Sequence, residues 1–398
     1  MDNVTVACMQ PRFSVLGSRE EFEALARRFL RQAQTRSEPL SVFPELTGLL
    51  LAPPLISRLK LGLAQRADRG RKPGAGFLAR RLGRLAGATA GVLGGGMTGS
   101  LKRLLASDSD SLRDLYLETF RRLAREFGTA LIAGSLYLYD AETQSVRNRA
   151  FLFDAAGEVI GWQDKLNLTP AEREWVAPGT ELMAFQVPFG RLGILIGWDA
   201  LYPELARLLA VQRADLLVGI AAVPGAAQAG LVRSALHLRA QENQVYTAAS
   251  FLLGPSYFDG EAREDYAGQS ALLAPIALTE KADGILGQVG SSQAESTVSA
   301  ALDMEALRRL RGTSDFQPRQ QMNLGNLGVV LAEMYQRGLT VEQAIEQGIA
   351  GVPEVAPDAP AEESSVTTEG KEPPVPVAAV EAAEAETPRP EAGHDDSA

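Results

Sequence analysis

The stretch 193–204 is the part of the chain most plainly built to present a reacting group. Gly193-Ile194-Leu195-Ile196 is almost wholly apolar, as a buried strand requires, and Pro203 stands where the first turn of a helix tolerates a missing N–H. A strand that turns sharply into a helix lifts the residue at its tip into a pocket, where helix-start N–H groups can hold an oxyanion. Nucleophilic attack is the chemistry such an elbow serves. Its tip here is Gly197, which has nothing to attack with, followed by Trp198 and Asp199. Glu45 lies just beyond a short apolar stretch, 40–43, at the kind of strand end where α/β sheets place chemistry. The single cysteine, Cys8, falls at a small apolar position of the strand-like segment 4–10, which points to core packing and an inert thiol. His237 lies in a helical stretch without recognisable serine and aspartate partners, and with His394 it leaves too few histidines for the usual zinc site.

Three segments occur together in a telling order. They are Phe43-Pro44-Glu45-Leu46-Thr47-Gly48, then residues 164–175 with Lys165 and Glu172, then the elbow. In this the chain resembles the nitrilase, or carbon–nitrogen hydrolase, superfamily over roughly residues 4–320 apart from one insertion. The resemblance implies an α/β fold, a nitrilase-like α-β-β-α sandwich of two mixed sheets between helices. It also implies roles: Glu45 as base, Lys165 as stabiliser of developing negative charge, Glu172 as the carboxylate that positions them, and Trp198 and Asp199 beside the substrate. Asn148 fits an asparagine the family carries in its hairpin region. Gly197 occupies the position of the family's nucleophilic cysteine. The implied protein is therefore a carbon–nitrogen hydrolase homologue that binds a small amide, nitrile or carboxylate, or a partner, as a non-catalytic pseudoenzyme. Two alternatives stand beside it: an active amide or nitrile hydrolase using water activated by Glu45, and a scaffold docking on a membrane surface or a partner. No organic cofactor and no metal are implied, and a homodimer or larger assembly is.

The surrounding helices and strands are readable from periodicity. Ser18 and Glu21 form a capping box for a helix whose Phe22, Leu25, Ala26, Phe29 and Leu30 share one face. Residues 112–127 read as a second amphipathic helix, 129–139, 147–153 and 158–164 as strands, and 231–244 as a helix running into a strand at 245–250. Residues 333–348 read as a terminal amphipathic helix.

At 398 residues and 45% apolar composition, the chain has material for one large α/β domain plus appendages. The expected division is a hydrolase-like domain at 1–320, with an insertion at 51–106, a helical extension at 321–350 and a tail at 351–398. The insertion holds eleven basic residues and one acidic one, and it can place arginines and apolar residues on opposite helical faces. A lid, a subunit-docking surface, or contact with an anionic membrane surface through 58–103 follows from that pattern. Nucleic acid does not, since Phe77 alone interleaves the charges. The tail has twelve acidic and two basic residues, so its balance of −10 equals that of the whole chain and the body is close to neutral. Its Pro-, Ala- and Glu-rich composition points to disorder. With no basic region leading into an apolar run at the start, a cytoplasmic location is expected, with peripheral membrane attachment as the alternative.

Overall fold

The computed structural model of the chain describes residues 3–33, 40–55, 96–256, 264–318 and parts of 332–348. These fall into two units, divided between Met322 and Asn323. In the first, two six-stranded sheets stack face to face. One has the order β14 (Ser296–Asp303), β1 (Asn3–Gln10), β2 (Leu40–Phe43), β3 (Ala130–Asp140), β4 (Ser145–Phe153), β5 (Val159–Asp164). The other has the order β13 (Ile285–Gln288), β12 (Ala271–Leu273), β10 (Tyr246–Phe251), β8 (Leu216–Ala221), β7 (Gly190–Ile196), β6 (Ala184–Val187). A short pair, β9 (Val223–Pro224) and β11 (Tyr266–Ala267), lies apart. Both large sheets are mixed: β1, β2 and β3 run parallel, as do β7, β8 and β10, while the flanking strands are antiparallel.

Strand alternation sorts the apolar residues into layers. Val4, Val6 and Cys8 of β1 and Ile194 and Ile196 of β7 point between the sheets, into one cluster with Val42, Ile132 and Val218. Ala7 and Met9 point the other way, toward α1 (Arg19–Ala33) and α2 (Gly96–Phe127). Leu195 and Leu217 meet α4 (Pro203–Val211) and α5 (Ala226–Asn243) through Leu209, Val232 and Leu236. The result is the helix, sheet, sheet, helix sandwich. Its outer layer on the α1–α2 side is locked by Phe120, whose ring meets Phe22 edge-on at 5.6 Å and Phe43 at 5.8 Å. Such rings each contribute about 1.5–3 kcal/mol by leaving water.

The expected helix at 112–127 lies beyond a break at Asp108 (φ −158°, ψ 52°), and a second helical segment beginning at Gly96 precedes it. Leu101, Leu104 and Leu105 extend its buried stripe, so the C-terminal end of the expected insertion packs on the core. Helix α1 carries the expected face, and Glu21 N–H donates to Ser18 Oγ, but the Glu21 carboxylate reaches past Ser18 to accept from Gly17 N–H at 2.8 Å. Helix α5 begins five residues ahead of 231, at Ala226. The short strand β13 and the helix α6 (Met304–Thr313) were not anticipated.

In the second unit the expected helix 333–348 is not continuous: helical residues lie on both sides of Gly338, which has φ +62° and interrupts the run. Glu333 and Arg337 pair at 3.1 Å in its first part. Residues 56–95, most of the basic segment, and the tail 351–398 lie outside the described residues. Among the described residues no helix is long and apolar enough to cross a membrane.

Candidate active site

Glu45 is carried just past β2 by Pro44 and turned inward by Leu46 at φ 61°. Leu46 N–H donates to Ser135 Oγ on β3 at 3.0 Å and Thr47 Oγ1 donates to Pro44 O at 2.7 Å, so the turn is tied on both sides. Lys165 follows β5 directly, its N–H donating to Asn148 O and its carbonyl accepting from Gly179 N–H. Glu172 sits in α3 (Pro170–Arg173), whose N-cap Thr169 and N1 Pro170 fix the first turn. Thr169 Oγ1 accepts from Glu172 N–H while the Glu172 carboxylate accepts from Thr169 N–H at 2.9 Å. This capping box folds the glutamate back toward the sheet.

The three groups meet, all nearly inaccessible to solvent. Lys165 Nζ donates to Glu45 Oε1 at 2.8 Å and to Glu172 Oε2 at 2.7 Å. Asn148 Nδ2 donates to both carboxylates, at 3.0 Å each, and so sets their separation. Glu45 Oε2 accepts from Ala222 N–H at 2.8 Å, which ties it to the end of β8 in the other sheet. Glu172 Oε1 also accepts from Tyr137 Oη at 3.1 Å, and the Tyr137 ring packs on Trp175, which lies under the Lys102 ammonium of α2. The site is thus anchored to both sheets and to two helices.

One lysine faces two carboxylates, and the balance decides their protonation. Burial would discharge Lys165, but Glu172 and Glu45 outweigh it and hold the ammonium charged. Burial also opposes ionisation of Glu172, yet the lysine charge and its own hydrogen bonds keep it below the usual carboxylate range. For Glu45 burial wins, helped by the Glu172 charge and opposed by Lys165, and its pKa is pushed up to about 7. Glu45 is therefore the group able to take up or release a proton near neutrality.

The elbow completes the site. β7 ends at Ile196, Gly197 adopts φ +54°, and a 3-10 turn, Gly197–Leu201, leads into α4 with Pro203 at its start. A Cβ on Gly197 would lie 2.7 Å from Glu45 Oε2 and 3.1 Å from Lys165 Nζ. The tip thus points straight at the Glu45 carboxylate and the Lys165 ammonium, and the carboxylate leans into the space a side chain would need. Asp199, expected to face substrate, is occupied instead. Its buried carboxylate accepts from Ile196 N–H, Leu166 N–H, Asn167 N–H and Asn167 Nδ2, and so clamps the loop carrying Lys165 to the elbow. Burial raises its pKa to about 6 against the pull of those bonds. Trp198, half-buried beside Gly197, is free of this clamp. Arg239 steadies the far side of the turn by donating to Ala200 O and Leu201 O.

Cys8 lies in the inter-sheet core, where burial raises its thiol far above the ordinary range. Among the described residues no group of histidine, cysteine or carboxylate side chains is placed to hold a metal ion. The T-x-x-E spacing of Thr169 and Glu172 is a sequence signal for this capping box, whereas nothing local in the sequence shows which N–H groups Asp199 clamps.

Comparison with known proteins matches this architecture. Several solved structures share the fold at low identity: the carbon-nitrogen hydrolase of Helicobacter pylori (TM-score 0.56, 19% identity, 82% of this chain and 98% of that one); and a mutant of the amidase from Nesterenkonia sp. AN1 with the acetamide moiety of fluoroacetamide added covalently at its active site cysteine (TM-score 0.54, 19% identity, 84% and 97%). Among curated sequences, the probable hydrolase YhcX of Bacillus subtilis is 32% identical over 198 residues, 49% of this chain. The chain spans only 38% of that relative's length. The carbon-nitrogen hydrolase family profile matches residues 96–311, more than half of the chain and inclusive of Asn148, Lys165, Glu172 and Gly197, with Glu45 lying outside it. The chain belongs to the carbon-nitrogen hydrolase family.

Proposed function

We propose that the protein binds a small amide- or carboxyl-bearing molecule at the Glu45–Lys165–Glu172 cluster and does not form a covalent acyl intermediate there. The observation that carries this reading is the elbow tip. Gly197 supplies no sulfur or hydroxyl, and Glu45 Oε2 stands 2.7 Å from where a Cβ would be, so the base is present and the nucleophile is not. A charged ammonium and a carboxyl near its midpoint at neutral pH offer a carbonyl oxygen a donor and an N–H or O–H group an acceptor.

One observation favours a second reading. A base whose pKa lies at about 7 is suited to deprotonating water, and water attack on a bound amide would release ammonia without a thiol. The two separate in one experiment: calorimetric titration with a panel of small amides, nitriles and carboxylates, and ammonia assay of the same mixtures. The first reading expects saturable binding of at least one compound and no ammonia above the blank. Ammonia release that disappears in Glu45→Gln overturns it in favour of the water route, and absence of any binding overturns both.

Self-association belongs to the same proposal. Leu208 and Val211 on α4 and Leu231 and Leu238 on α5 are all more than half exposed, on the helices that follow and flank the elbow. Light scattering should report at least a dimer, and Leu208→Lys with Leu238→Lys should give monomer.

A further inference from the structure

Away from this site, the C-terminal half of α2 meets the turn between β4 and β5 along a groove of about 520 Å³ lined by Glu118, Arg121, Arg122, Arg125 and Glu158. The turn reaches the helix through Gly157, at φ +77°. A Cβ there would lie 2.5 Å from Arg121 O and 3.0 Å from Arg125 Nε, so only glycine lets the two backbones approach this closely.

The charges in and around the groove do not cancel locally. Glu118 is taken by Arg19 at 3.1 Å, Arg122 pairs with Glu23, and Arg125 donates to Ala156 O and pairs with Glu158 at 2.9 Å. Arg121 is left over: among the described residues its Nε is fully enclosed and has no acceptor.. An Nε–H that is both desolvated and unpaired is unfavourable, and an ion or a water is among the groups that satisfy such an orphan. Both members of the Arg125–Glu158 pair are more than half exposed, so that pair is weak and can open for a stronger anion.

We propose that this groove is an oxyanion site that takes a phosphoryl group, free or at the end of a small phosphorylated molecule. Arg121 supplies the planar two-point fork, and Arg125, four residues along the same helix, supplies the further charge once its exposed pair with Glu158 opens. A carboxylate is the poorer fit. Two carboxylates already line the groove without satisfying Arg121, whereas a tetrahedral group has oxygens to offer both Arg121 and Arg125. The proposal does not depend on any activity at the elbow.

The test is calorimetric titration of the full chain with inorganic phosphate and, separately, with methyl phosphate, in a buffer matched in ionic strength by chloride. The expected result is saturable one-to-one binding of phosphate that chloride does not reproduce, weakened about tenfold or more in Arg121→Gln and by less in the more exposed Arg125→Gln. Tighter binding of methyl phosphate would assign the site to phosphorylated molecules, and equal binding to the free ion. Heat no different from chloride, or phosphate binding unchanged in both Arg121→Gln and Arg125→Gln, would overturn the proposal. Should Arg121→Gln not fold, Arg121→Lys keeps the charge but loses the fork and is expected to weaken binding in the same direction.

Discussion

Adding one methyl group at the elbow probes the geometry most economically. In Gly197→Ala the new Cβ would stand 2.7 Å and 3.2 Å from the Glu45 carboxylate oxygens and 3.1 Å from Lys165 Nζ, closer than side-chain carbons normally approach. Two costs follow. The backbone at φ +54° sits in the left-handed region, which charges a residue with a Cβ about 1–2 kcal/mol. The carboxylate must also retreat, which stretches its charge-assisted bonds to Lys165 and Ala222 N–H and forfeits part of a contribution of about 1.5–3 kcal/mol. The sum is about 2–4 kcal/mol, or a fall in melting temperature of about 3–6 °C at this domain size. A double-mutant cycle in urea separates the parts. With Glu45→Ala already made, the clash with the carboxylate is gone and only the backbone cost and the 3.1 Å approach to Lys165 Nζ should remain, so the cycle should show a coupling of about 1–2 kcal/mol. A Gly197→Ala cost below about 0.5 kcal/mol, or strict additivity with Glu45→Ala, would refute the placement of Glu45 against the elbow tip.

Other outcomes follow from the same network. Because the Glu45 pKa is raised to about 7, the folded protein holds a proton that the unfolded chain has already released. That contribution is complete below the ordinary carboxyl range and is lost as pH rises through about 7; wild-type stability should fall by on the order of 1–3 kcal/mol between pH 5 and 8, and Glu45→Gln should flatten the profile above pH 6, where Asp199 no longer contributes. Asp199→Asn replaces one acceptor oxygen by a donor facing backbone N–H groups, and should cost about 2–4 kcal/mol and speed amide exchange at Leu166 and Asn167. Asn148→Leu, which removes the donor shared by both carboxylates, should cost a similar amount, about 2–4 kcal/mol in denaturation, and a loss under about 0.5 kcal/mol would mean that the bridge carries little.

Much of this was legible beforehand because it is local. The apolar run ending at Gly197 and the proline six residues on specify an elbow without reference to the rest of the chain, and the stripe of Phe22, Ala26, Phe29 and Leu30 specifies a buried helix face. The order of the segments bearing Glu45, Lys165 and Glu172 pointed to one cluster, although nothing local brings together residues 120 apart in the chain. What escaped is what depends on side-chain packing at a distance. Asp199 reads as an acidic residue at a helix start, and only the fold shows its oxygens spent on the loop 166–167. Leu101, Leu104 and Leu105 follow a glycine-rich stretch that argues against helix, and tertiary burial overrides it. The orphaned Arg121 has no sequence signature, because its partners are turned elsewhere by residues of other elements.

In the proposed function, the Glu45, Lys165 and Glu172 network is assembled around an elbow whose tip, Gly197, carries no nucleophile. The most direct measurement is the pH dependence of alkylation of Gly197→Cys in a Cys8→Ala background, with folding verified by circular dichroism. An ammonium within reach of the new side chain should hold the thiolate well below the ordinary thiol pKa of about 8.5 and give fast labelling near neutral pH. A folded variant that labels no faster than a free thiol, with a midpoint near about 8.5, would contradict the claim.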